Sequence, residues 1–116
     1  ALLSAIPAVK KLVATLNELR KVGYIVAVTS WLSMDSTREY NKAVRTAKRN
    51  WLDGHNFPYD EIHLVKYGTT KADCTRHLGG EQILFDDSDK VRNGWSLGET
   101  VNPTTTNIID YLKALL

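Results

Sequence analysis

A single cysteine, Cys74, leaves no internal disulfide to form and excludes the disulfide-stapled architectures of small secreted domains. A reducing, cytoplasmic setting is the expectation. No apolar run approaches the roughly 18 residues that a membrane-spanning helix needs. The opening Ala1-Leu2-Leu3-Ser4-Ala5 lacks the basic region and long apolar core of a signal peptide. The net charge of +2 comes without a dense basic stripe, so neither nucleic acid nor membrane is an expected partner. Lys10-Lys11 and Lys48-Arg49 read as solvated helix faces. Gly79-Gly80 lacks the Lys-Ser/Thr ending and preceding strand of a phosphate loop, and no dinucleotide glycine fingerprint follows Tyr24–Thr29. His55, His63 and His77 show no metal-ligand spacing with Cys74, so zinc is not expected either. What is present is 43% hydrophobic and 24% charged, enough for one folded domain over residues 1–116.

Along the chain, helical and extended patterns alternate. Val9, Leu12, Val13, Leu16 and Leu19 recur at three- and four-residue intervals and predict a helix over Ile6–Arg20, with Pro7 tolerated in its first turn and Gly23 as its stop. Tyr24–Thr29 is apolar on both faces and β-branched, as a covered parallel strand would be. Ser36, followed three residues later by Glu39, reads as a capping box opening a helix to Asp53, with Tyr40, Ala43, Val44, Ala47 and Trp51 facing inward. Further strands are predicted at Ile62–Val65 and Gln82–Phe85, around a short helix from Lys71 to Leu78 that Thr70 would cap. A helical turn at Ser88–Asn93, an extended piece within Trp95–Val101 and a helix over Thr104–Leu116 complete a doubly wound, mostly parallel α/β pattern of Rossmann-like type.

In such sheets ligands sit beyond the carboxyl ends of the strands. Thr29-Ser30, Tyr67-Gly68 with Lys71 behind it, and Asp86-Asp87 each lie at such an end. Adjacent carboxylates repel unless donors or a cation compensate, and Mg²⁺ is the hard cation suited to them. The simpler role for the pair is to cap the turn at Ser88-Asp89. A hydroxyl, a lysine and a carboxylate pair at three successive strand ends make a coherent phosphoryl site. Trp51 reads as core, whereas Trp31, following the Thr29-Ser30 strand end, is the better candidate for ligand contact.

This order of motifs resembles the haloacid dehalogenase-like superfamily of phosphatases, in particular its small phage or cytosolic deoxyribonucleotidase-like branch, over nearly the whole chain. Ile25-Val26-Ala27-Val28-Thr29-Ser30 looks like the second motif of that family, Lys71 like the third-motif lysine, and Ile83-Leu84-Phe85-Asp86-Asp87 like the fourth. The resemblance implies that Thr29, Ser30 and Lys71 bind phosphate, Thr29 and Lys71 serving catalysis, and that Asp86 and Asp87 hold Mg²⁺, Asp86 as the direct ligand. It also implies a small phosphomonoester substrate, a nucleotide being one candidate. The first family motif, an Asp-x-Asp strand whose first aspartate attacks phosphorus, has no counterpart before Thr29; Asp87-Ser88-Asp89 has the spelling in the wrong place. The expected fold is therefore an HAD-like core without its usual first strand, N-terminally incomplete, with a gap between the strands at Tyr24 and Gln82 that a separate N-terminal segment would fill. The alternatives are a catalytically inactive binding or protein-interaction module of the same fold, and an unrelated doubly wound domain in which Asp86-Asp87 only caps a turn.

Overall fold

The computed structural model describes residues 6–32, 34 and 37–116. In chain order these form α1 (Ile6–Lys21), β1 (Ala27–Trp31), α2 (Arg38–Gly54), β2 (Glu61–Val65), α3 (Lys71–Thr75) continued by a 3-10 turn at Arg76–Leu78, β3 (Leu84–Phe85), α4 (Asp89–Asn93), β4 (Thr100–Val101) and α5 (Ile108–Lys113). The fold is mixed α/β with parallel strand pairs.

The core sits where the apolar stripe of α1 meets α5. Val9, Leu12, Leu16 and Leu19 are buried, as is Leu112, while Val26, Phe57, Phe85, Ile108, Ile109 and Leu115 pack around this cluster half-buried. The α1 stripe is the one read from the sequence, with Val13 at its rim. Gly23 ends the helix at φ +105°. Its N–H donates to Arg20 O and that of Tyr24 to Leu19 O, each at 3.1 Å, closing the last turn through a residue type that tolerates positive φ.

The strands form two separate two-stranded sheets. β1 pairs with β2 in parallel, Ala27 opposite Glu61 through Trp31 opposite Val65. β3 pairs with β4 in parallel, Leu84 opposite Thr100 and Phe85 opposite Val101. Among the described residues β1 and β3 are not hydrogen-bonded to each other. Between them lies a cavity of about 410 Å³ lined by Ala27, Thr29, Ile83, Phe85, Lys71 and Asp86, floored by α1 and α5 leucines. The N–H groups of Gln82, Leu84 and Asp86 donate to Leu97, Glu99 and Val101 of the β4 side. Strand alternation turns the peptide groups of Ile83 and Phe85 the other way, toward the cavity.

Several boundaries differ from the sequence reading. The first strand starts at Ala27 rather than Tyr24, and Tyr24 and Ile25 are exposed. Pairing begins at Val26, whose N–H donates to Asp60 Oδ2 at 2.8 Å and whose O accepts from Asp60 N at 2.7 Å. The α2 cap is Thr37, accepting from Tyr40 N, and the predicted cap Ser36 lies outside the described residues. The inward face of α2 is rotated from the one predicted: Tyr40, Ala43 and Ala47 are exposed, Val44, Lys48 and Trp51 half-buried, and Leu52 buried. Thr70 precedes α3 without a side-chain capping bond. The last helix is confined to Ile108–Lys113, because the Asn102 side chain takes Thr104 N and Oγ1 into a turn and Asn107 then caps α5.

Asp60 also accepts from Arg20 Nη2 at 2.6 Å, tying α1 to the start of β2. The Val26 amide, aided by Arg20 and opposed by partial burial, holds the Asp60 carboxyl below its ordinary range. A depressed folded-state value means that this contribution is complete above the unfolded carboxylate range, near pH ~4, and is lost as pH falls through the folded value. Urea denaturation of the parent and Asp60→Asn at pH 6 and pH 3 should show a stability gap at pH 6 that narrows at pH 3. A gap of equal size at both would contradict the assignment.

Candidate functional site

Asp86 follows β3 directly, and its position is fixed from four sides. Its N–H donates to Val101 O at 3.2 Å, its Oδ1 accepts from Ser88 N at 2.9 Å, its Oδ2 accepts from Lys71 Nζ at 2.6 Å, and its carbonyl accepts from Arg92 Nη1 at 2.9 Å. The Lys71 and Asp86 side chains are only 13% and 10% exposed, which makes this a shielded ion pair rather than a surface one. The turn-capping role is real as well, carried by the Ser88 amide, while Ser88 itself caps α4 through Val91 N. Asp87 is exposed.

The end of β1 supplies the facing wall. Alternation puts Thr29 and Trp31 on one face and Ser30 on the other, so the two hydroxyls predicted to act together diverge. Thr29 lines the cavity with Lys71 and Asp86. Ser30 Oγ accepts from Lys48 Nζ at 2.5 Å, and Trp31 O accepts from the same ammonium at 3.1 Å. Trp31 donates its indole N–H to Thr69 O at 2.8 Å and packs against Tyr67 at 5.0 Å between centroids. Lys71 Nζ stands 5.5 Å from the Trp31 ring centroid, so the indole face shelters the ammonium.

Lys48 is the residue that sequence reasoning misses. Assigned there to a solvated face, it instead lies on the inward stripe of α2 and reaches back to the end of β1. Burial, and then the positive charge of Lys71, lower its pKa from the ordinary lysine value. Its one sequence signal is its spacing of four from Val44 and from Leu52.

The donor set at the end of β3 suits a hard cation. An ionised carboxylate offers about four lone-pair positions, and the Lys71 and Ser88 contacts use two of those on Asp86. Mg²⁺ commonly takes one or two carboxylates and keeps water elsewhere; Asp86 lines the cavity, whereas Asp87 is exposed and is not part of its lining. Compared with protein-family models, curated proteins and solved structures, the chain matches none. The geometry of the site is therefore the ground for its function.

A second cluster lies on β2. Glu61 and His63, two residues apart, share a strand face, and the 3-10 turn brings His77 to them. His63 Nε2 donates to Glu61 Oε1 at 2.8 Å, and His77 Nε2 donates to Glu61 Oε1 and Oε2 at 2.9 Å each. The hydrogen bond from His77, and then that from His63, lowers the Glu61 pKa. His55, the third histidine, packs against Trp51 instead.

Proposed function

We propose that this chain forms most of a Mg²⁺-dependent phosphomonoester hydrolase of doubly wound, HAD-like type, with the nucleophile-bearing strand supplied from outside these 116 residues. The observation that carries the reading is the convergence of Lys71, Asp86 and Thr29 on one cavity between β1 and β3. Lys71 would bind a phosphate oxygen as a point charge, and the Thr29 hydroxyl would donate to another. Asp86, backed by Asp87, would hold the ion, which would supply charge neutralisation at the transferring phosphoryl group. Lys48 adds positive potential at the same strand end without itself lining the cavity. Trp31 forms the aromatic side of the site and keeps Lys71 from bulk water.

The cavity also supports the missing-strand reading. It separates two parallel pairs by unbonded edges, and one more extended segment would satisfy the peptide groups that face it. The substrate class is a small phosphorylated molecule, with nucleotides among the candidates.

Intact mass and N-terminal sequencing of the native gene product should find an Asp-x-Asp segment upstream of Ala1. That product should release phosphate from nucleoside monophosphates or p-nitrophenyl phosphate only with Mg²⁺. Asp87→Asn, at an exposed position, should raise the Mg²⁺ concentration needed for half-maximal rate by about tenfold. A native product without such a strand, phosphate binding without turnover, or unchanged activity in Asp86→Asn would each overturn the proposal, the second in favour of an inactive binding module.

A further inference from the structure

We infer that Glu61, His63 and His77 form a site for a divalent ion of borderline softness, Zn²⁺ foremost, distinct from the carboxylate site at Asp86. One ligand atom from each of the three residues can be chosen so that all lie within 4.8 Å of one another. Ligands of a single tetrahedral Zn²⁺, at about 2.0–2.2 Å from the ion, are separated by about 3.4 Å. The Glu61 oxygens already stand 2.8 and 2.9 Å from the two Nε2 atoms, so small side-chain rotations make room for the ion. On binding, each imidazole presents an Nε2 lone pair to the ion, its remaining ring proton on Nδ1, and the metal replaces the three hydrogen bonds to the carboxylate.

The backbone favours this geometry. Glu61 and His63 stand opposite Ala27 and Thr29 in the β1–β2 register, so two ligands rise from one face of a paired strand rather than from a loop. His77 is held near them because the 3-10 turn ends at Gly79, at φ +66°, and the Gln82 side chain donates to Thr75 O and Gly79 O. Two imidazoles and one carboxylate suit Zn²⁺ better than Mg²⁺. Among the described residues the group has three members. With the His77 side chain 55% exposed, the remaining coordination position opens to water. The ion would also pin the far end of the α3 segment to β2, and Lys71 begins that helix.

Isothermal titration of chelator-treated, dialysed protein with ZnCl₂ tests this. One equivalent should bind, with excess Mg²⁺ failing to compete. His77→Ala, at an exposed position, and His63→Gln should each weaken binding about 30-fold or more. Cys74→Ser and His55→Ala should leave it unchanged, and X-ray absorption at the zinc edge should show imidazole scattering. The absence of any binding, affinity unaltered in His77→Ala, or binding lost in Cys74→Ser would overturn the assignment.

Discussion

Asp86→Ala is expected to cost the fold about 3–5 kcal/mol, because it leaves a shielded ammonium without its counter-charge. The pair is short, at 2.6 Å, and neither side chain is more than 13% exposed. Adding Lys71→Met in the same chain should restore most of the loss. The second change removes the orphaned charge and places a thioether against the Trp31 ring that the ammonium now faces. Urea midpoints of the parent, both single variants and the double variant form a closed cycle whose coupling term should be large and favourable. An Asp86→Ala protein within about 0.5 kcal/mol of the parent would mean that water already screens the pair.

Gly98→Ala should be nearly as damaging, at about 3 kcal/mol. Gly98 sits at φ +155°, and a Cβ there would lie 2.2 Å from Gln82 O and 2.9 Å from Gln82 N. The obstructing atoms are backbone, so no rotamer change relieves the contact. The strands would separate at the Gln82 N–H to Leu97 O bond, 2.9 Å long, which opens the β3–β4 pairing. Denaturation should report the lost stability, and amide exchange at Gln82, Leu84 and Asp86 should quicken first. A variant as stable as its parent would contradict the close approach of these two segments.

How far the sequence can be read depends on how local each determinant is. The α1 stripe and the Gly23 stop are legible because helical periodicity and positive φ are properties of a few neighbouring residues. The cap of α4 is Ser88, whereas the sequence draws attention to the adjacent Asp86-Asp87 pair instead. The α2 face is misread because Ala43 and Ala47 count as apolar yet lie exposed, while Lys48 lies half-buried on its long stem and delivers its charge to Ser30. Lys71, Asp86 and Thr29 can be named from the sequence, and the structure brings them to one cavity. The divergence of Ser30 is foreseeable from strand alternation alone. The Glu61–His63–His77 cluster is not, since it depends on a 3-10 turn folding back over β2 from well beyond the strand, a matter of tertiary placement.

The Lys71–Asp86 contact has a mechanical side. Lys71 belongs to the part of the molecule built on β1 and β2, and Asp86 to the part built on β3 and β4. Among the described residues it is the ion pair that joins those two parts. It therefore acts as a latch across the cavity. An anion that displaces Asp86 from the ammonium would release that latch, and its occupancy would then be thermodynamically linked to the spacing of the two sheets. By reciprocity, whatever widens the seam makes Lys71 more available to an anion by the same factor that the anion favours widening.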